Sequence, residues 1–434
     1  MLTIKSNQGG RTCDGMSRRD FVRVGSLGFA GLTLPALLRA RAEAAAAGSP
    51  TRGTSVVWLW LGGGATHVET FDPKMEAPEE FRSTVGAVDT ALPGIQIGGL
   101  LPRVARVADK MVFVRSFAHN NSGHGGGTHW VMTGYDNRLV DNGGVPTRPS
   151  MGSITSRFRG ANHPVSGIPT YVRLNGIAAD GAAWLGKAFE PFEPSGQGRS
   201  NMNLGISPER LADRRSLLGA FDRVSRECDA NGIMEGMDSF ESQAFSLLLG
   251  SAKDAFDLKK EDPKTVEKYG KGLGEQLLLA RRLCEAGTGF VTVQYGGWDM
   301  HGNIAQGLKQ RCPQLDQAVA AFVQDLNERG ENENIMLVIS GEFGRTPRVD
   351  KNAGRDHWSN LSTLALAGGG LKVGQVVGES NSKVERPKSA PITPQDLMAT
   401  VFHVLGIDRN LHYYNQAGRP TPMIEEGKPI SELV

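Results

Sequence analysis

The chain is poor in cysteine. It has four in 434 residues, Cys13, Cys228, Cys284 and Cys312, and no two stand in Cys-x-x-Cys spacing. So few thiols, so spaced, argue against both a disulfide framework and a thiolate zinc site. Cys284 follows Leu283 on an apolar helix face and reads as a small buried hydrophobe. Excess charge of either sign is missing too: 48 Lys and Arg stand against 46 Asp and Glu, so nothing global points to nucleic acid or an anionic membrane. There is no His-Glu-x-x-His and no Gly-Lys-Ser/Thr phosphate loop. In the Gly62-Gly63-Gly64 loop, the place where a dinucleotide-binding turn needs its third glycine holds His67, which argues against nucleotide binding and a redox enzyme built on it. What remains is an ordinary globular composition, 39% hydrophobic and 22% charged, enough for one continuous α/β domain with a sizeable core.

The N-terminal region carries the clearest local signal. Ser17-Arg18-Arg19-Asp20-Phe21-Val22 is a twin-arginine pattern, followed by a weakly apolar stretch over 24–38 and alanine-rich residues 42–47. These parts occur in export order. The apolar stretch is 15 residues long and broken by Gly25, Gly28, Gly31 and Pro35, short of the ~20 residues that span a bilayer. Residues 1–47 are therefore expected to be a cleaved twin-arginine signal, with the export machinery as partner. Residues 48–434 are expected as a periplasmic or cell-surface domain without a permanent membrane span.

After a short linker, 56–61 reads as a fully buried first strand, 100–108 as a helix and 111–114 as a second strand. This is the β-α-β rhythm of a parallel sheet. Residues 137–205 are rich in Gly, Pro, Asn and Ser, with a short strand at 170–174. A helical insert is expected over about 207–286. Strand 290–295, helix 315–329 and strands 335–339 and 361–367 follow. Thr393-Pro394 opens a last helix to Leu405. The expected fold is one large three-layer α/β/α domain around a mostly parallel sheet.

Histidines and acids cluster just after these strands: His67 and Asp72; His119, His124 and His129; Asp299 and His301; Glu342 and Arg345; then Asp356 and His357. In a parallel sheet the C-terminal ends of the strands share one edge, where loops far apart in sequence converge. Asp299-Met-His301 can point a carboxylate and an imidazole the same way, toward a zinc-like ion or as a hydrogen-bonded surface turn. In His119-Asn-Asn-Ser-Gly-His124-Gly-Gly-Gly-Thr-His129 the glycines permit close backbone approach to a ligand. His124 is the favoured functional residue there, with His119 next. Glu342 can take a metal and Arg345 an anionic oxygen, or the two can pair with each other. Asp356 beside His357 is the sequence form of a carboxylate supporting a ligand imidazole. Asp72 suits either a supporting role or a turn before Pro73. His163, His403 and His412 read as structural.

On these motifs, Gly-Gly-Gly-Ala-Thr-His67-Val-Glu-Thr-Phe-Asp72-Pro-Lys, Gly-Trp-Asp299-Met-His301, Gly-Glu342-Phe-Gly-Arg345-Thr-Pro and Gly-Arg-Asp356-His357-Trp, the chain resembles the bacterial domain of unknown function 1501 family. That family is assigned to the alkaline-phosphatase/sulfatase-like superfamily. The resemblance implies a first metal site at Asp299, His301 and His357 and a second that keeps Glu342, completed by His67 or His124. Counting back nine residues from Thr133-Gly134, where relatives keep a nucleophile, lands on His124. The resemblance thus implies a divalent cation as cofactor, one or two ions, zinc favoured over calcium, magnesium or manganese. It also implies hydrolysis of sulfate or phosphate esters, with a small anionic ester or a sulfated or phosphorylated glycan as substrate. His124 and Arg345 are the catalytic candidates, Arg345 for the anionic group. The alternative expectation is a non-catalytic cell-surface or glycan-binding protein that keeps the fold and a structural metal.

Overall fold

The structure is a computed structural model that describes residues 53–194, 251–414 and 419–434, all in one unit beginning at Arg52. The signal expected at 1–47, the helical pattern of 207–249, Cys13 and Cys228 lie outside the described residues.

A seven-stranded sheet forms the middle layer. Its strands are β1 Ser55–Trp60, β2 Met111–Val114, β3 Tyr171–Leu174, β4 Phe290–Gln294, β5 Ile335–Ser340, β6 Leu364–Gly368 and β7 Gln375–Val377. Their spatial order is β7-β2-β6-β5-β1-β4-β3. Six strands share one direction; β6 alone runs against its neighbours β5 and β2.

The central strands read as unbroken apolar runs because both faces are covered. Along β1, Val57 and Leu59 enter one core while Val56, Trp58 and Trp60 enter the other, the alternation that a strand's period of two imposes. On the first face lie α1 Pro102–Arg106, α4 Leu273–Glu285 and α5 Ile304–Arg329, sending Val104, Leu277, Leu283, Val319 and Phe322 against the sheet. On the second lie α2 His124–Thr133, α3 Met151–Arg159 and α6 Pro394–Leu405, contributing Met132, Ile154, Met398 and Phe402. This is the three-layer α/β/α fold. Each such side chain fully buried contributes roughly 1.5–3 kcal/mol.

Local signals explain the element ends. Thr393 caps α6 through the Asp396 N–H, and Pro394 occupies the first turn, where its missing N–H costs nothing. α5 begins earlier than expected, at Ile304, and carries Pro313 inside it. α1 is shorter than expected, and α2 starts at His124 itself. Cys284 and Cys312 are buried free thiols. Among the described residues, no helix is long and apolar enough to cross a membrane.

Two features of this topology position the site. Trp60 of β1 stands beside Gln294 of β4 and Ser340 of β5, so the loops carrying Gly62–Gly64, Asp299 and Glu342 leave the sheet together. Reversed β6 pairs its first residue, Leu364, with Ser340. The segment holding Asp356 and His357 therefore enters the sheet at that same edge.

Candidate metal centre

The residues gathered at this edge are Asp299 and His301 after β4, Glu342 and Arg345 after β5, His124 at the start of α2, and His357. A two-residue ribbon pairs Gly344–Arg345 with His357–Trp358, setting Arg345 opposite His357. Gly63, at φ +109°, lets the first loop lie against the Asp299 loop; a Cβ there would stand 2.5 Å from the Asp299 nitrogen.

Three acceptor atoms converge. The Nδ1–H of His301 donates to Asp356 Oδ1 at 2.6 Å, and the Nδ1–H of His357 donates to the Ser122 carbonyl at 2.9 Å. In each neutral ring this leaves the Nε2 lone pair bare. The two Nε2 atoms are 3.1 Å apart, and Asp299 Oδ1 lies 2.9 Å from that of His301 and 3.1 Å from that of His357. Ligands held about 2.0–2.1 Å from one ion stand roughly 2.9–3.4 Å from each other, so this triangle has the size of one face of a coordination shell. Burial keeps the His357 ring below its usual pKa and so favours the neutral, ligating form.

Asp299 is held ionised. Burial opposes its charge, but the Arg345 Nη2–H donated to Oδ1 at 2.5 Å helps keep the carboxyl far below the usual range. His124 spans the far side, with Nδ1 2.7 Å from Glu342 Oε1 and Nε2 3.3 Å from Asp299 Oδ2. Its hydrogen bond to Glu342 raises its pKa. Atoms of His124, Asp299 and His357 all lie within 4.8 Å of one another, so His124 can join the same ion. Glu342 also accepts the Gly63 N–H at 2.9 Å, while its buried Oε2 has no hydrogen-bond partner. An orphaned buried carboxylate oxygen is costly, and a bound cation would satisfy it. The donor set, with its neutral imidazoles and ionised carboxylates, fits a divalent metal such as zinc.

The structure disperses other expected members. His67 is buried in the core, its Nε2–H donating to the Val384 carbonyl at 3.1 Å. Among the described residues it makes no hydrogen bond to the cluster. Its position as a ligand is not met because the turn His67–Thr70 points the ring behind Gly344 rather than out at the edge. Asp72 accepts from Ser380 and faces Arg115 at 3.5 Å, also away from the cluster. His119, which burial lowers to a pKa of about 4, stays neutral and donates from Nε2 to the Glu342 carbonyl at 2.8 Å; it braces the Glu342 backbone. Arg345, expected to hold an anion, has a side chain that is 0% exposed. Its donors go to the carbonyls of Gly63, Gly64 and Arg355 and to Asp299, so it clamps the loops together and faces inward. His129 is buried within α2, its rings' nitrogens taken by Tyr135, Thr147 and Arg148 backbone.

The glycines beside His124 also have a different employment from the expected ligand approach. Loop residues 138–142 lie across them: the Gly126 N–H donates to Asp141 Oδ1 at 2.8 Å, and a Cβ on Gly123 would collide with that carboxylate. Two contributors escaped sequence reasoning. Phe343 stacks on His357 with ring centres 4.3 Å apart and forms the apolar wall of the site. The Ser122 carbonyl fixes the His357 tautomer. A main-chain acceptor leaves no mark in a sequence, but the adjacency of Phe343 to Glu342 was visible.

Solved structures with some likeness to the chain include a sulfatase from Pseudoalteromonas sp., at 12% identity and TM-score 0.38, covering 86% of this chain and 70% of that one. A phosphonate monoester hydrolase from Silicibacter pomeroyi matches at 13% identity and TM-score 0.39, covering 82% and 74%. The protein Ps i-CgsB, solved with k-i-k-neocarrahexaose, matches at 10% identity and TM-score 0.40, covering 86% and 75%. Likeness this distant carries neither activity nor substrate across. No curated protein matches. The family profile described as "Protein of unknown function (DUF1501)" matches residues 53–434, and the chain belongs to that family.

Proposed function

We propose that the protein is an exported metal-dependent hydrolase of sulfate or phosphate esters, its divalent cation held by Asp299, His301 and His357. The observation that carries this reading is the convergence of two bare imidazole nitrogens on one ionised carboxylate, at spacings of 2.9 to 3.1 Å. When bound, a cation such as zinc supplies Lewis acidity and lets water ionise near pH 7. No hydroxyl or thiol nucleophile is then needed at the position His124 occupies.

The chain's own groups divide the remaining work. Asp356 and the Ser122 carbonyl hold the two ligand rings in one tautomer. Arg345 fixes Asp299. His124, half exposed and held by Glu342, keeps a proton on an imidazole that faces the cluster and can deliver it to the departing ester oxygen. The carboxylates of Asp299, Glu342 and Asp356 surround the cluster while the Arg345 guanidinium faces inward, so an anionic substrate group depends on the metal for its attraction. A small anionic ester, or a sulfated or phosphorylated glycan, is the substrate class. Export by the twin-arginine route to the periplasm or cell surface belongs to the same reading and rests on Arg18-Arg19.

The test is a panel of aryl sulfates and phosphate mono- and diesters, run on metal-loaded parent and on His124→Ala. The variant should keep its metal and lose about 10²–10⁴-fold in turnover. Joint loss of metal and activity would make His124 a ligand. A fully loaded parent that turns over nothing across the panel would leave the binding-protein alternative.

A further inference from the structure

Arg355 is absent from every role assigned above, yet it sits at the root of the cluster. Its side chain and that of Glu69 are both 0% exposed and form an ion pair at 2.9 Å. The Arg355 Nε–H donates to the same Glu69 oxygen at 3.2 Å, and its remaining donors reach the carbonyls of Arg82, Thr346 and Pro347. Glu69 is fixed in turn by the Thr66 hydroxyl at 2.6 Å and the Thr84 N–H at 3.1 Å. The main chain of Arg355 then touches both halves of the site. Its N–H donates to the carbonyl of Met300, the residue between Asp299 and His301, at 3.2 Å. Its carbonyl accepts from Arg345 Nη1 at 3.1 Å. Asp356 and His357 follow it directly in sequence.

We infer that Glu69 and Arg355 are positioning residues that set the spacing of the Asp299, His301 and His357 ligand atoms, so that this buried pair tunes metal affinity without touching the metal. The inference rests on the cation site proposed above. A guanidinium fork that engages one carboxylate and three carbonyls permits little rotation. The backbone it anchors is the only stretch among the described residues that hydrogen-bonds to the Asp299–His301 loop while carrying His357. Slackening that anchor should move His357 relative to Asp299 and His301 by tenths of an ångström, and ligand-supporting groups of this kind are worth about 10–100-fold in metal affinity.

Glu69→Gln, Arg355→Lys and Arg355→Met should be compared with the parent as full chains. Two measurements are made on each: cobalt(II) affinity, by competition with a chelator, and the visible absorption spectrum of the cobalt-loaded protein. Thermal unfolding of the metal-free forms is recorded alongside. Glu69→Gln keeps the shape and loses the charge. It should weaken cobalt binding about 10-fold or more and alter the spectrum while the metal-free protein still unfolds cooperatively. Arg355→Lys should recover part of the affinity lost in Arg355→Met. Affinity and spectrum like the parent's in folded Glu69→Gln and Arg355→Lys would overturn the inference, whatever the thermal midpoints do. Failure of all three variants to fold would overturn it as well, assigning the pair to folding alone. A parent that binds no cobalt would instead sink the cation site itself.

Discussion

The Nε2 atoms of His301 and His357 face each other at 3.1 Å although each ring has already spent its Nδ1–H on another acceptor. Two lone pairs set that close, with the Asp299 carboxylate beside them, repel unless something positive lies between. A metal ion serves all three at once, whereas a proton shared between the two rings as an N–H···N bond would leave the Asp299 oxygen out.

Metal content follows from that arrangement. Protein purified from its native host should carry about one divalent ion in this triangle. His301→Ala should lose it, and Asp356→Ala should hold it about 10–100-fold more weakly by freeing the His301 tautomer. Elemental analysis and chelator competition read both. Unchanged metal in His301→Ala would remove that ring from the site.

Arg345 should behave as a brace. Arg345→Ala strands the Gly63 and Gly64 carbonyls and leaves Asp299 without its guanidinium. The cost in unfolding free energy should be about 2–4 kcal/mol, measurable by denaturant titration. An undiminished stability accompanied by a large rise in KM would return Arg345 to the anion-binding role expected from sequence.

His129 should make the fold sensitive to mild acid. Burial lowers its pKa below the usual 6.5, so between those two values the unfolded chain binds the proton and the folded chain does not. Stability then rises with pH there and is lost as pH falls through the unfolded value. Replacing His129 with Gln should flatten the drop in unfolding free energy between pH 7 and pH 5. An unaltered slope would show that the ring is protonated alike in both states.

Export should depend on the arginine pair. Changing Arg18 and Arg19 together to Lys should leave uncleaved precursor in the cytoplasm, visible by fractionation and immunoblot. Normal export of the double variant would dismiss the twin-arginine reading.

The strands were legible because fully buried segments announce themselves: residues 335–340 are Ile, Met, Leu, Val, Ile and Ser, all buried. The direction of β6 was not legible, since an apolar run looks the same forward and backward. Yet that direction is what brings His357 to the edge. Periodicity also misled at α5, where the helix runs through Pro313 instead of starting after it. Within the site, the convergence of Asp299, His301, Glu342 and His124 was foreseeable from strand ends alone. His67 follows a strand just as directly, but one helical turn redirected it into the core. Arg345 and the glycines beside His124 were read by chemical type, and their actual partners, Gly63, Gly64 and Asp141, are loops whose placement no local pattern encodes.

The place of β1 in the sheet has a kinetic consequence. It is the first strand among the described residues, yet Val56 pairs with Phe290 on one side and Met336 on the other. On the ribosome this largely apolar ribbon emerges long before either neighbour exists, and it must wait with both edges open. Pairings so distant in sequence make folding slow and leave the nascent chain prone to aggregation. A cell making this protein would have to shield residues 55–60 until about three-quarters of the chain had been translated, and a chaperone's footprint on the nascent polypeptide should fall there first.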